Sequence, residues 1–319
     1  MIMILFKFIK THRKKVFFII LAAMAFYYFV PLIFFGLFGV PAEMSENNQS
    51  NIEKLKNNEN GIFSFLVFGD NHAGLFFHDA TTLKLISRMN REDGFAKIPI
   101  DFVLDAGDVT LSGESWQFLA FKKEQKLIKY PLFAAFGNHE NREYELFEKY
   151  LGKREYAFAD RNSYFIILDN SENELTDKQF EWFEKCLIEG QKYEHRFVVM
   201  HKPAFIPYFQ SHLVVKSSGE KWIYRFRGLC TKYKVDIVFC GHYHMFKHEK
   251  IDGVDYIVTG GGGGTIPFEI PESDGGYFHY VRVLVDNEYV GFEVRKVSPP
   301  LWVYFSYYFW KDAIYWVRR

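Results

Sequence analysis

Over residues 61–297 the chain alternates short apolar runs with amphipathic stretches. Residues 61–68 (GIFSFLVF), 102–106, 131–136, 164–168, 197–200 and 237–240 are apolar runs of strand length, and each is followed by a turn-forming or polar residue. Residues 79–91 and 114–129 between them read as helices, and a short helix follows Asn141. Thr176 is placed to open another helix through residue 188, with Phe180, Phe183 and Leu187 on one face. From residue 254 onward the pattern is strand after strand (VDYIVTG, YFHYVRVLVD, YVGFEVRKV). Alternating strands and helices predict an α/β domain built in layers.

The two ends break this pattern. Residues 16–40 carry no charged side chain, and the 15 residues before them hold Lys7, Lys10, Arg13, Lys14 and Lys15 with no acid. About 20 apolar residues span a bilayer core. The expected reading is an uncleaved transmembrane signal-anchor over 16–40, with residues 1–15 as a basic cytoplasmic tail and the rest of the chain extracytoplasmic. A cleaved signal peptide ending near Ala23-Met24-Ala25 and a buried core helix are the alternatives. Residues 41–60 turn polar and Asn- and Glu-rich and read as a tether or short stalk helix. After Ser298-Pro299-Pro300, nine of the 17 residues 301–317 are aromatic. Lys311 and Asp312 in the middle argue against a second span, so 298–319 is expected to lie in a membrane interface. Packing on its own domain, or an oligomer contact, would use the same residues.

Composition narrows the class. Lys plus Arg and Asp plus Glu each number 39 among 319 residues, so the formal net charge is zero and a nucleic-acid polymer is not an expected partner. An apolar fraction of 49% excludes a disordered chain. Cys186, Cys230 and Cys240 form no CxxC pair, which leaves neither a disulfide scaffold nor a zinc finger. Aromatic residues make up 19%, and much of that excess falls in 16–40 and 301–317.

The chemistry sits at strand ends. The first strand ends in Gly69-Asp70-Asn71-His72, the second in Gly107-Asp108 and the third in Gly137-Asn138-His139-Glu140. Those at 197–200 and 237–240 end in His201 and in Gly241-His242-Tyr243-His244. Ligand sites of open α/β sheets gather at the carboxyl ends of strands. Carboxylate, amide oxygen and imidazole suit divalent ions such as Mn, Fe, Zn, Co or Ni. Seven such donors are too many for one tetrahedral ion but suit two ions that share a carboxylate.

These five motifs, in this order over residues 70–244, resemble the calcineurin-like metallophosphoesterases. The resemblance implies a four-layer αββα sandwich and two divalent metal ions, manganese among the candidates. It implies Asp70, His72 and His244 on the first ion, Asn138, His201 and His242 on the second, and Asp108 bridging. His139 and Asn138 would meet the substrate, with His139 and Asp108 catalytic. The implied reaction is hydrolysis of a phosphate ester or pyrophosphate bond by in-line attack of a metal-bridging hydroxide.

Departures from the family pattern narrow it. Residues 107–113 read GDVTLSG where protein phosphatases of the family carry GDxVDRG. Leu111 stands where purple acid phosphatases carry a tyrosine. The anchor and the aromatic tail point to a lipid-linked phosphate. A tethered enzyme for soluble nucleotides or small phosphomonoesters, and a metal-stabilised interaction module without catalysis, are the alternatives. His12, His78, His195, His212, His248 and His279 are expected mostly at the surface, with His78 and His212 near enough to line the cleft. Lys202 is within sequence reach of a phosphate. The glycine run 260–264 lacks the P-loop pattern and is expected to allow tight backbone passage beside the metals.

Overall fold

The computed structural model describes residues 46–304 except 56–60, 93–97, 142–143, 173, 206–219 and 268, together with the isolated positions 15 and 22. The expected span 16–40, apart from position 22, and the tail beyond 304 therefore lie outside the described residues, as do His12 and His212. Among the described residues no helix is long and apolar enough to cross a membrane.

The elements run α1 (Asn48–Ile52), β1 (Ile62–Phe68), α2 (Phe76–Met89), β2 (Ile100–Asp105), α3 (Ser115–Lys126), β3 (Leu132–Ala134), α4 (Tyr144–Leu151), β4 (Tyr156–Asp160) and β5 (Ser163–Ile167). They continue as α5 (Asp177–Gly190), β6 (His195–Val199), α6 (Glu220–Lys232), β7 (Ile237–Cys240), β8 (Phe246–Ile251), β9 (Val254–Thr259), β10 (His279–Asp286) and β11 (Tyr289–Lys296). One sheet has the order β11-β10-β1-β2-β3 and the other β4-β5-β6-β7-β9-β8. β1, β2 and β3 are parallel, as are β5, β6, β7 and β9, with antiparallel strands at the edges. The architecture is thus mixed α/β with two sheets.

Three elements are absent from the sequence reading. β4 has only five residues, α6 interleaves its apolar side chains with Arg225 and Arg227, and β8 reads FKHEKI with no clean alternation. Each is shaped by its neighbours: β4 and β8 are edge strands held by β5 and β9, where tertiary pairing outweighs local propensity.

Period-two alternation sends Phe63, Phe65 and Val67 of β1 into one core with Phe102, Phe133, Phe158, Phe165, Phe197 and Phe239, which joins the two sheets. Phe65 is at its centre, with ring centroids 5.1 Å from Phe102, 5.4 Å from Phe165 and 5.3 Å from Phe197. A second core places Phe180, Phe183 and Leu187 of α5 and Trp222 and Phe226 of α6 against Val198, Val238 and Val258. The aromatic excess, expected mainly at the chain ends, therefore also builds the seam between the sheets.

Residues 41–60, expected to be a tether or a short stalk helix, carry the short helix α1 in their middle. Asn47 caps α1, and the buried Asn48 and Asn51 turn onto the edge of β3. Asn48 Nδ2 donates to the Ala134 carbonyl at 3.2 Å and its Oδ1 accepts from Ala134 N at 2.9 Å. Asn51 Nδ2 donates to the Leu132 carbonyl at 2.8 Å. Two side-chain amides thus satisfy an open sheet edge without a further strand.

Three histidines expected at the surface are buried: His78, His195 and His279. His248 is exposed as expected. His195 starts β6, at the opposite end of that strand from His201, with Nδ1 3.2 Å from Asp236 Oδ1 and Nε2 on the Asn287 carbonyl. Burial opposes its protonation, but Asp236 and that carbonyl raise its pKa above the usual value. A raised histidine pKa stabilises the fold fully below the unfolded value, and that contribution is lost as pH climbs through the folded value. The thermal stability advantage of the wild type over His195→Gln is therefore expected to be larger at about pH 5.5 than at about pH 8.5. An equal advantage at both would refute the ion pair.

Candidate metal centre

The parallel strands of both sheets deliver their carboxyl ends to one place, and short backbone bonds stitch the loops together. Asp70 N donates to the Gly107 carbonyl at 2.9 Å, His72 N to the Asp108 carbonyl at 3.1 Å and Gly241 N to the His201 carbonyl at 2.9 Å. Asp70, His72, Asp108 and His242 all hold left-handed backbone, with φ of 61°, 53°, 53° and 72°. Such conformations cost free energy in residues with a Cβ, and here they turn four functional side chains inward. At Gly137 a Cβ would lie 2.1 Å from Asp108 Oδ1, so only glycine lets the β3 loop come this close.

Three groups of side chains converge: Asp70 with His72 and His244, His72 with Asp108 and His139, and Asp108 with His201 and His242. Asn138 joins the last, its Oδ1 3.1 Å from His201 Nε2. The structure thus brings together all eight residues singled out from sequence. Lys202 does not face the cluster as a free amine, since its Nζ donates to the Ser171 carbonyl.

The histidine tautomers follow from their partners. His201 Nδ1 lies 2.9 Å from the Ala106 carbonyl, His244 Nδ1 2.7 Å from the Thr265 carbonyl, and His139 Nδ1 meets the Leu111 carbonyl. A carbonyl only accepts, so each Nδ1 carries a proton and each Nε2 is the ring atom left for the cluster. Those Nε2 atoms face oxygens: His201 Nε2 is 3.0 Å from Asp108 Oδ2, and His244 Nε2 is 3.3 Å from Asp70 Oδ1. His72 Nε2 is buried without a hydrogen-bond partner among the described residues, 3.6 Å from Asp108 Oδ2.

Ring nitrogens and carboxylate oxygens this close are held together by a cation, either a proton or a metal ion. Burial lowers His72 and takes His242 down to about 3, so both are neutral. Burial opposes charge on His201, yet Asp108 raises it to about 9, and Asp70 likewise raises His244. Both carboxyls stay ionised despite their burial, because His244 holds Asp70 below the usual range and His201 holds Asp108 well below it. Oxygen and imidazole donors without thiolate fit divalent metal ions. All three cysteines are free and buried; Cys240, at the end of β7, is not among the clustered donors.

Glu140 and Asn170 support the site without a role read from sequence. Glu140 Oε1 accepts from Thr110 N at 2.8 Å and Thr110 Oγ1 at 2.7 Å, while Oε2 accepts from Gly137 N at 3.1 Å. It ties the β2 loop to the β3 loop. Asn170 Oδ1 accepts from His201 N and Lys202 N, both at 2.9 Å. Asn170 follows β5 as Asp70 follows β1, the same polar-after-strand signal.

A two-sheet α/β fold that gathers this Asp and His cluster at its strand ends has the make-up of a metal-dependent phosphoesterase family. The family model of the calcineurin-like phosphoesterases matches residues 63–246, and the chain belongs to that family. Its members use two metal ions, and the three side-chain groups fit such ions. Among curated relatives, the Fe(3+)-Zn(2+) purple acid phosphatase 12 of Arabidopsis thaliana is 26% identical over 110 residues, 33% of this chain and 23% of that protein. The match spans less than a quarter of the plant enzyme. Among solved structures, GAP50, the anchor in the inner membrane complex of Plasmodium, shares the fold at 14% identity and a TM-score of 0.55, over 75% of this chain and 89% of that one.

Proposed function

We propose that the chain hydrolyses phosphoesters at two metal positions. Asp70, His72 and His244 hold the first, Asn138, His201 and His242 the second, and Asp108 lies between them. The observation that carries this reading is the place of Asp108, whose Oδ2 is within 3.0 Å of His201 Nε2 and 3.6 Å of His72 Nε2, one from each set. Two divalent ions held there would lower the pKa of bound water toward neutrality and offset the phosphate charge. His139 has the most open side chain of the His and Asp pairs in the cluster, 35% exposed against 17% or less for His72, Asp108, His201 and His244. With Nδ1–H anchored on the Leu111 carbonyl, its Nε2 is the ring atom left to meet the substrate, and in the imidazolium form it would give its proton to the leaving oxygen.

The substrate we propose is a lipid-linked phosphate or pyrophosphate, met by a domain on the extracytoplasmic side of a membrane that residues 16–40 cross. Support comes from the apolar run at 16–40 and the aromatic tail, and from where that tail begins. Trp302 packs on Phe76 and Phe77, with ring centroids 5.0 and 5.6 Å away. Phe77 precedes His78, whose ring is 5.7 Å from that of His72. The start of the tail is therefore on the same helix end that borders the metal centre.

Full-length chains with Trp310→Ser and Trp316→Ser should lose about tenfold in turnover of a phospholipid substrate in vesicles. Hydrolysis of soluble bis(p-nitrophenyl) phosphate should stay within about twofold, since neither tryptophan belongs to the five strand-end motifs. Unchanged vesicle turnover would favour a soluble nucleotide or small phosphomonoester instead. A C-terminal alkaline phosphatase fusion reads the side of the membrane, and an inactive fusion would contradict the proposed topology.

A further inference from the structure

The first metal position has a support that lies outside the family motifs. Beside it runs the glycine loop 260–264, clamped on both sides. Gly262 N donates to the Gly69 carbonyl at 2.8 Å and Gly264 N to the Asp70 carbonyl at 2.7 Å, while Thr82 Oγ1 of α2 donates to the Gly262 carbonyl at 3.0 Å. A Cβ at Gly264 would stand 2.9 Å from both the Asp70 carbonyl and His244 Cε1. The loop therefore lies directly against two of the three proposed ligands, as its composition predicts, and it ends in Thr265.

Thr265 faces two histidines at once. Its carbonyl accepts from His244 Nδ1 at 2.7 Å, and its hydroxyl is 2.9 Å from His78 Nε2. His78 is buried, 6% exposed, and its Nδ1 is 3.4 Å from the His72 carbonyl. That carbonyl can only accept, so Nδ1 carries the His78 proton and Nε2 accepts from the Thr265 hydroxyl. The result is a directed chain: His244 to the Thr265 carbonyl, the Thr265 hydroxyl to His78, and His78 to the backbone of His72.

We infer that His78 and Thr265 are positioning residues, which brace the loop that fixes the His244 tautomer and tie it to the backbone of His72, so that both imidazoles present Nε2 to one metal ion. The inference rests on the ligand assignment proposed above. Hydrogen-bond partners of metal-bound histidines typically change metal affinity by about 10–100-fold when removed. Neither residue touches the Asn138, His201 and His242 side of the centre in any hydrogen bond described, so the effect should fall on one ion.

The test is an equilibrium Mn(II) titration of the metal-free full chain, which reads two affinities independently of turnover. His78→Ala is expected to weaken one of the two affinities by about 10–100-fold and leave the other within about threefold. His78→Gln, which can still accept from Thr265, should recover most of the loss. Because His78 is buried and its truncation could unfold the helix end, Thr265→Val provides the independent variant: the side chain is exposed, and only its hydroxyl is lost. It should weaken the same affinity in the same direction. His244→Ala is the reference. If it lowers an affinity while Thr265→Val and folded His78→Ala both bind as wild type, the inference is overturned and the ligand assignment stands. If His244→Ala also binds as wild type, the ligand assignment fails and the inference with it.

Discussion

Asp108→Asn is expected to lower kcat for phosphodiester hydrolysis by at least about 10³-fold, or about 4 kcal/mol of transition-state stabilisation, while the chain stays folded. Asn is the informative replacement. It keeps the shape of the side chain and tolerates the left-handed backbone at φ 53°. It can also still accept from His139 N, which lies 2.9 Å from Asp108 Oδ1. What it removes is the negative charge that faces His72 and His201 at once. On the proposed assignment that single charge serves both ions, so metal content should fall together with turnover. Unaltered metal content with lost turnover would instead make Asp108 a proton-handling group. Unaltered turnover would remove the bridging role altogether.

Phe65→Ala should cost about 3–5 kcal/mol of unfolding free energy, measured by urea denaturation of the full-length protein. The ring is fully buried. It stacks on Phe102 of its own sheet and meets Phe165, Phe197 and Phe239 of the other edge-on. Truncation therefore opens a cavity across the sheet-to-sheet seam, where several rigid rings must move together to fill it. Phe65→Leu should cost about 1.5 kcal/mol or less, because most of the volume remains. A loss under about 1 kcal/mol for Phe65→Ala would mean that the seam repacks freely and is not the element that holds the sheets together.

These two residues show what the sequence made legible. Asp108 could be read because a largely apolar strand before it ends abruptly in Gly-Asp, a signal repeated at Asp70 and echoed by a polar residue at the strand end at Asn138, His201 and His242. Phe65 lies in an equally clear strand, but the partner across its ring is not written locally: Phe165 and Phe197 are about a hundred residues away. The aromatic residues at the chain ends lie almost wholly outside the described residues, while those within them build much of the core.

The same limit explains His78. It follows two phenylalanines at the start of a helix, and its partner Thr265 is 187 positions away behind a run of glycines. No local pattern marks either as a partner of a metal ligand. Edge strands such as β8 and the Asn48 and Asn51 contacts to β3 escaped for a related reason. Their structure comes from pairing with a neighbour rather than from their own periodicity. Composition read the polarity of 41–60 correctly but could not show that two of its asparagines are buried on a sheet edge.

The most direct test of the two-metal account measures bound metal and hydrolysis on the same preparation of the full chain. The account predicts two divalent ions per chain, loss of bis(p-nitrophenyl) phosphate hydrolysis on chelation, and recovery in step with Mn(II) added back until both positions are filled. Hydrolysis that persists after both ions are removed, or full activity with a single ion bound, would contradict it.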